Sequence, residues 1–410
     1  MEKYCVNVKR MINQIIELGN TGREENGELS RLVGSDVDKL GRDLVVAWMK
    51  DIGLRVEVDR IGNVFGIWET EENRKEKPIF VGSHIDSVIN AGIYDGCYGV
   101  LAGLEVMKVL KENGYVPNRP IVSCFFTNEE GVRYQPDMMG SLVYAGGLDV
   151  EEALNSVGID NSILGEELKR IGYYGNNEPG FIQPEAFIEL HIEQGPILDQ
   201  QKIPVGAVEN LQGISWQKIT IEGVANHAGT TPMYLRKDAG YAAAAVNVFL
   251  HDLCVKTEKS VCTIGTISYE PNAVNVIPSK AVFTVDLRNP DSKVFKYLED
   301  ELDKYLEKIS EEIGVKILKE RLVRFEPVIF DENIVKLIEK SAGNRNITTR
   351  RITSGAGQDA QMMARICPTA MIFVPSVEGI SHNPKEFTKE TDLENGANIL
   401  LDVLIELSSK

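Results

Sequence analysis

Four short polar segments in this 410-residue sequence each follow an apolar run and carry side chains that bind divalent metals. The segments are "GSHIDS", "TNEEG", "ELHIEQG" and "ISHNPKE". Histidine nitrogens and carboxylate oxygens are the protein ligands that Zn²⁺ and Mn²⁺ accept, and three of the chain's five histidines lie in these segments. Because the pattern recurs at four separate strand ends, the sequence predicts a dinuclear site of the Zn²⁺ or Mn²⁺ type.

The first segment carries a histidine that could bind a metal and an aspartate that could orient this histidine. His84 and Asp86 are two residues apart at a predicted strand end, so their side chains project to the same face. Asp86 is expected to orient His84 from behind, while the other ring nitrogen of His84 binds a metal. Asp95 follows in a glycine-flanked turn, where its carboxylate could bridge two cations. Taken alone, the H-x-D pattern also fits a strand-end histidine tied to a turn.

The other segments add carboxylates and two more histidines. Glu129 and Glu130 are adjacent after an apolar run, and adjacent carboxylates repel unless a cation or a proton lies beside them. One could bind metal while the other works as a general base, although a solvated acidic loop is the alternative. His191 follows the apolar run "FIEL", and His382 lies just beyond the predicted strand "TAMIFVPSV".

The elements that must position these residues follow from hydrophobic patterning. Up to about residue 210, and again from about residue 325, apolar strand-like runs alternate with helical segments, which predicts an α/β domain with a mostly parallel sheet covered by helices. Between them, "ISWQKITIEG" and "AVFTVDLRN" alternate apolar and polar residues, as antiparallel strands with one solvated face do. We therefore predict a catalytic domain at 1–211 and 328–410, interrupted by an α+β domain at 212–327 with two helices on one sheet face.

Composition excludes some function classes. The 44 basic and 61 acidic residues give a net charge of −17, which disfavours nucleic acid and anionic membranes as partners. We find no run of roughly 20 apolar residues that could span a membrane, and the first residues do not resemble a signal peptide. Six cysteines lie far apart without a C-x-x-C pair, as expected of reduced thiols in a cytoplasmic protein.

The sequence resembles the M20 metallopeptidase superfamily, and within it the branch of amidases, hydantoinases and carbamoylases. Motifs that carry the resemblance appear in the family's order: "GSHIDSV…YDG", "TNEEG", "ELHIEQGP", "NHAGTTPM", "NAVNVIPS", "DLR", "SGAGQDA" and "SHNPKEF". They extend from Gly82 to Phe387, so the resemblance covers most of the chain.

The resemblance implies two divalent metal ions per subunit, Zn²⁺ or Mn²⁺, with Co²⁺ or Ni²⁺ also possible. It implies that His84 and His191 hold one ion, that Glu130 and His382 hold the other, and that Asp95 bridges them. Glu129 corresponds to the general base, which takes a proton from water and passes it to the departing nitrogen.

The inserted domain is expected to complete the site. By resemblance, His227 stabilises the oxyanion of the tetrahedral intermediate and reaches the active site of the partner subunit, which implies a homodimer and an inserted domain that serves as lid and dimerisation domain. The other substrate contacts implied are Gln194, Asn275, Arg288 and the backbone of Gly355 and Ala356. Arg288 suits a substrate carboxylate because its planar guanidinium pairs with it bidentately. Many relatives have His where this chain has Gln358.

The implied substrate is a small ureido compound with a carboxylate. Hydrolysis of an N-carbamoyl-L-amino acid to the amino acid, CO₂ and ammonia is the leading interpretation, and hydrolysis of allantoate is the alternative. A metallo-exopeptidase fits less well, because its relatives usually carry Asp at the position of His191. A non-catalytic binding protein of this fold would be expected to have lost Glu129 or a metal ligand, and none is missing.

Overall fold

The computed structural model describes residues 4–25 and 27–410. The chain divides into two compact units: the first comprises the residues up to Glu209 together with Phe330–Lys410, and the second is Asn210–Ile329. Each boundary lies two residues from the position that the patterning predicts.

The strands are numbered along the chain. They are β1 (Arg55–Val58), β2 (Val64–Trp68), β3 (Ile79–His84), β4 (Ile121–Phe126), β5 (Ala186–Ile192), β6 (Val205–Leu211), β7 (Gly213–Glu222), β8 (Val261–Thr263), β9 (Ile267–Glu270), β10 (Lys280–Asn289), β11 (Lys316–Phe325), β12 (Val328–Ile329), β13 (Thr349–Ser354) and β14 (Thr369–Val374).

The helices are numbered in the same way. They are α1 (Val8–Asn20), α2 (Asp36–Asp51), α3 (Cys97–Glu112), α4 (Met139–Tyr144), α5 (Val150–Leu154), α6 (Leu164–Ile171), α7 (Ile197–Gln201), α8 (Ala239–Lys256), α9 (Ser292–Ile313), α10 (Glu332–Asn344), α11 (Asp359–Met363) and α12 (Glu390–Ser408).

The first unit is built around a mixed sheet with strand order β1-β2-β4-β3-β5-β14-β6-β12, and β13 lies beside β6. Its four central strands, β4, β3, β5 and β14, are parallel to one another. The flanking pairs β1–β2, β2–β4, β14–β6 and β6–β12 are antiparallel. The predicted parallel sheet is therefore the centre of a wider mixed sheet, and the α/β class is confirmed.

The central strands are buried at every position, which explains why their sequences are continuous apolar runs. Helix α3 packs against β3, β4 and β5, and α12 packs against β14 and α3. The "QDAQMMARI" segment forms only the short helix α11. This covered sheet fixes the positions of the strand ends that carry the predicted ligands.

The second unit contains the antiparallel sheet β11-β7-β10-β8, with β9 also paired to β10. Along β10 buried and half-buried residues alternate strictly, the period of a strand with only one face against a core. That core lies between the sheet and helices α8 and α9, and includes Val246, Phe283 and Leu302. The two predicted helices and the antiparallel sheet are thus both present.

No helix among residues 4–25 and 27–410 combines the length and the apolar character that a membrane crossing needs. No disulfide bond joins cysteines within residues 4–25 and 27–410.

Candidate metal centre

The four central strands deliver their polar segments to one edge of the sheet. Parallel strands end together, and β4, β3, β5 and β14 are adjacent in that order. His84 is the last residue of β3 and pairs with Phe126, the last residue of β4. His191, near the end of β5, pairs with Phe373 of β14. The strand order therefore brings together groups that lie up to 298 residues apart in sequence, from His84 to His382.

One cluster of possible metal ligands consists of His84, Asp95 and His191, whose donor atoms all lie within 4.8 Å of one another. The Oδ1 atom of Asp95 is 3.2 Å from His191 Nε2 and 3.6 Å from His84 Nε2. All three residues are buried. These are the residues that the sequence assigned to one metal and its bridge.

A second cluster consists of Asp95, Glu130 and His382, again within 4.8 Å. The Nε2 atom of His382 is 3.3 Å from Asp95 Oδ2 and 3.4 Å from Glu130 Oε2. Asp95 thus offers one carboxylate oxygen to each cluster, which is the geometry of a bridging ligand. The side chain of His382 is 49% exposed, so this cluster is accessible from its His382 side.

Glu129 also lies within reach of the first cluster. Its Oε2 atom is 3.4 Å from His84 Nε2, and His84, Glu129 and Glu130 form a third group of possible ligands. Both adjacent glutamates therefore lie beside the clusters, and distance alone does not assign the base.

Two main-chain carbonyl groups select the tautomers of the buried histidines. The Nδ1 atom of His84 is 3.0 Å from the carbonyl oxygen of Asp86, and that of His191 is 2.8 Å from the carbonyl oxygen of Ile192. Because a carbonyl only accepts, each Nδ1 is the donor and each Nε2 carries the lone pair of the neutral ring. This is the state in which an imidazole binds a metal. The Nε2 atom of His84 faces the carboxylates of the cluster, and that of His191 also accepts a hydrogen bond from the N–H group of Gly96 at 3.0 Å.

The side chain of Asp86 acts differently from the sequence expectation. Its carboxylate is 3.9 Å from His84 Nδ1, and its hydrogen bonds come from the backbone N–H groups of Glu129, at 3.2 Å, and Glu130, at 3.1 Å. The main chain of Asp86 holds His84, while its side chain holds the segment that follows β4. Asp86 therefore positions both the end of β3 and the segment after β4.

The electrostatics of the centre indicate an excess of negative charge. Burial raises the pKa of Glu129 well above its usual range, although His84 opposes this. Burial, and then repulsion by Asp95, raises the pKa of Glu130 to about 8. Burial also disfavours a charged His84, yet the neighbouring carboxylates, Glu129 first, raise its pKa well above the usual value. Such a site requires positive charge, as protons or as cations.

Sequence reasoning missed the role of Glu386. Its Oε1 atom accepts hydrogen bonds from the backbone N–H groups of Tyr94 and Asp95, and its Oε2 atom accepts one from Ser381 Oγ at 2.8 Å. The side chain is 6% exposed, and burial raises its pKa to about 7. Glu386 thus fixes the loop that carries Asp95. It lies in "SHNPKEF", where a carboxylate four residues after His382 was the available signal.

Gln194 lies in the centre, with its Nε2 atom donating to Asp95 Oδ2 at 2.8 Å. Its Oε1 atom accepts a hydrogen bond from Gln358 Nε2 at 2.7 Å. Gln358 therefore orients the amide of Gln194. This contact could not be predicted because the two residues lie 164 positions apart.

The "SGAG" segment, with Gly355 and Ala356, immediately precedes α11. The N–H group of Ala360, the second residue of that helix, donates to Glu189 Oε2 at 2.7 Å. Glu189 also accepts from Ser83 Oγ at 2.7 Å, so this buried carboxylate, which sequence reasoning missed, joins β3, β5 and α11. The N–H group of Ala360 is therefore already hydrogen-bonded within the protein.

In the second unit, the structure brings His227 and Asn275 together. The two segments pair through a bridge between His227 and Val276, and the N–H group of Ala228 donates to the carbonyl oxygen of Asn275 at 3.0 Å. His227 is exposed, and its Nδ1 atom accepts from the N–H group of Gly229 at 3.0 Å. Its neutral form therefore carries the proton on Nε2, which is free to act as a donor.

Arg288 lies on β10, and its Nη2 atom is 2.9 Å from Asp286 Oδ2. Its side chain is 22% exposed, so the guanidinium is held in place without being buried. The predicted substrate residues of this unit thus occupy two different places, one in the paired loops and one on the sheet.

Comparison with known proteins agrees with the fold. The profile of "Peptidase family M20/M25/M40" matches residues 80–406. The chain is 35% identical to the N-carbamoyl-L-amino-acid amidohydrolase of Rhizobium meliloti over 406 residues, covering 99% of this chain and 97% of the relative. It is 34% identical to the allantoate amidohydrolase of Bacillus subtilis, with all of both chains covered. A crystal structure of an amidase of the hydantoinase/carbamoylase family from Burkholderia multivorans matches with a TM-score of 0.95 and 39% identity, covering 99% of each chain.

The chain therefore belongs to peptidase family M20/M25/M40, and the predicted family is confirmed. Its similarity to amidohydrolases along the whole chain shows that it is a hydrolase acting on amide or ureido C–N bonds.

Proposed function

We propose that the protein is a metal-dependent amidohydrolase that cleaves the ureido C–N bond of an N-carbamoyl-L-amino acid, releasing the amino acid, CO₂ and ammonia. The observation that carries the proposal is the pair of ligand clusters joined by the two carboxylate oxygens of Asp95. Allantoate is the second candidate substrate, supported by the relative of nearly equal identity.

The residues present fit two divalent cations. The first cluster offers two imidazoles and one carboxylate, and the second offers one imidazole and two carboxylates. This donor set is suited to Zn²⁺ or Mn²⁺, or to Co²⁺ or Ni²⁺. The Oε1 atom of Glu130 is buried and has no hydrogen-bond partner among the described residues, as a ligand atom would. When bound, such ions polarise a substrate carbonyl and acidify water.

Glu129 supplies the proton transfer in this proposal. Its carboxylate is 7% exposed and lies beside His84, so a water at the clusters is within its reach. Glu129 accepts the proton of the attacking water and delivers it to the departing nitrogen. Burial favours this role because it raises the proton affinity of the carboxylate.

The second unit completes the substrate site. The Nε2–H group of His227 is suited to donate to the oxyanion of the tetrahedral intermediate, and Arg288 to bind the substrate carboxylate bidentately. Asn275, Gln194 and the Gly355–Ala356 backbone supply the remaining polar contacts. We further propose a cytoplasmic homodimer in which His227 serves the partner subunit, and the free cysteines are consistent with that compartment.

A substrate panel tests the proposed function. The protein is stripped with a chelator, restored with Mn²⁺, Zn²⁺, Co²⁺ or Ni²⁺, and assayed on N-carbamoyl-L-amino acids, allantoate and dipeptides. We expect activity to disappear on stripping, to return with metal, and to be highest on N-carbamoyl-L-amino acids. Higher activity on allantoate would select the second candidate, and turnover of dipeptides alone would overturn the proposal.

The same panel can also test whether the substrate carboxylate contributes to turnover, by comparing substrates with and without it. N-carbamoyl amines that lack only the carboxylate are expected to show kcat/KM about 10–100-fold lower than the amino acid derivatives, because a charge-assisted contact contributes about 1.5–3 kcal/mol. Equal kcat/KM for the two members would remove the proposed role of Arg288.

Mixed dimers test whether His227 acts in the partner subunit. Glu129→Gln and His227→Ala proteins are each expected to be nearly inactive, yet a mixed dimer contains one site with both residues intact. Random exchange in a two-fold dimer should therefore restore about a quarter of the wild-type activity. The measurement is activity after mixing, with subunit exchange monitored by mass-tagged chains. Exchange without recovery would contradict the assignment.

A further inference from the structure

The turn that carries His227 is closed by hydrogen bonds to the ring and to the main chain of that residue. The Nδ1 atom of His227 accepts from the N–H groups of Gly229, at 3.0 Å, and Thr230, at 3.3 Å. The carbonyl oxygen of His227 accepts from the N–H group of Thr231 at 3.2 Å and from its Oγ1 atom at 2.8 Å. Because His227 is exposed, its ring is held by the shape of this turn and not by packing in a core.

The side chain of Arg236 spans the same turn. Its Nη2 atom donates to the carbonyl oxygen of Ala228 at 2.6 Å, and its Nε atom donates to that of Thr231 at 3.0 Å. The two carbonyl groups flank, in sequence, the residues whose N–H groups bind the Nδ1 atom of His227. One planar guanidinium therefore holds both ends of the segment that binds the ring.

The planarity of the peptide bond links the guanidinium to the imidazole. The carbonyl oxygen of Ala228 and the N–H group of Gly229 belong to one trans peptide unit, in which they point in opposite directions. Arg236 binds the oxygen of this unit, and the Nδ1 atom of His227 binds its N–H group. A rotation of the unit would break both hydrogen bonds, so Arg236 fixes the donor that orients the ring.

Arg236 is itself held in place. Helix α8 begins three residues after it, and the N–H group of Val224 donates to the carbonyl oxygen of the next residue, Lys237, at 2.9 Å. Arg236 is half-buried, and its guanidinium stays charged at every pH in use. Arginine suits this position because its planar fork reaches two carbonyl groups at once, whereas a lysine ammonium is a single point charge.

We propose that Arg236 is a positioning residue, which fixes the imidazole of His227 through the peptide unit between residues 228 and 229 and so holds its Nε2–H group in one direction. The importance of this for turnover rests on the proposed function, in which that N–H group donates to the oxyanion. The orientation of the ring is a property of the second unit alone and does not depend on that reaction.

Nuclear magnetic resonance of the histidine rings tests the positioning. The chain has five histidines, so the full-length, Zn²⁺-loaded protein with isotope-labelled histidine gives few ring signals, and His227→Gln identifies that of His227. At mildly alkaline pH, which keeps histidine neutral, we expect one Nε2–H tautomer with restricted ring motion. In Arg236→Ala the ring should become mobile, and its nitrogen shifts should move towards those of histidine in an unstructured peptide. Arg236→Lys should fall between the two.

Steady-state kinetics on the substrate that the panel selects give the second readout. Because the oxyanion forms only as the reaction proceeds, Arg236→Ala is expected to lower kcat by up to about 10²-fold, with little change in KM. Arg321→Ala makes the same change at an exposed position of β11. It should leave both the His227 signals and kcat unchanged.

The two readouts separate the positioning from the proposed function. Unchanged His227 signals in Arg236→Ala would overturn the proposal. A wild-type ring that is mobile, or that carries its proton on Nδ1, would also overturn it, and that result does not depend on the folding of a variant. An altered ring with unchanged kcat would confirm the positioning and contradict the oxyanion role of His227.

Discussion

Replacing Glu129 with glutamine is expected to lower kcat by about 10²–10⁴-fold, the usual contribution of a positioned general base, while leaving the bound metal unchanged. The amide keeps the size of the side chain at a position that is only 7% exposed, but it cannot accept the proton of the attacking water. The measurements are steady-state kinetics on an N-carbamoyl-L-amino acid and metal content by elemental analysis.

Glu130→Gln is the matched control for this prediction. It makes the same change one residue later, at a carboxylate within 3.4 Å of His382 Nε2, and is expected to lower metal content as well as activity. If Glu129→Gln lost metal and Glu130→Gln retained it, the two roles would be exchanged. Thermal unfolding of both variants shows whether either change has disturbed the fold.

Replacing Asp95 with asparagine is expected to have the largest effect on metal content. Asp95 belongs both to the cluster with His84 and His191 and to the cluster with Glu130 and His382, whereas an amide offers only one oxygen and no charge. We expect both metal content and kcat/KM to fall by more than the roughly 10–100-fold that the loss of an outer partner costs. Metal content and affinity are measured by elemental analysis and by competition with a chelating dye.

Two further variants calibrate this prediction. Glu386→Gln alters the side chain that holds the Asp95 loop and should cost about 10–100-fold in metal affinity. Asp51→Asn makes the same chemical change as Asp95→Asn, but at an exposed helix end. It should change neither metal content nor kcat/KM. An Asp95→Asn protein that kept a full complement of metal would show that Asp95 does not bridge.

Much of the fold follows from local patterning. The buried parallel strands read as continuous apolar runs, and the antiparallel strand β10 reads as strict alternation. Because these periods arise within each strand, they are visible without tertiary information. The antiparallel flanks of the large sheet were not predicted, since β1 and β2 are four- and five-residue strands whose pairing depends on their neighbours.

The residues that position the side chains of the metal centre could be identified only from the structure. Glu386, Glu189 and Gln358 act through hydrogen bonds to residues far away in sequence. A side chain's type says what bond it can make, but its partner is set by which elements pack together.

The sequence by itself determined which side chains end the apolar strands, the family, and the chemical class of the centre, because residue type and periodicity are local properties. Tertiary structure decided how those residues combine. The order β4-β3-β5-β14 puts four separate segments at one sheet edge, gives each oxygen of Asp95 its own cluster, and turns Asp86 toward the backbone of Glu129 and Glu130. The physical reason is that strand order and loop path depend on how the whole core is buried. The sequence of a single segment does not specify that arrangement.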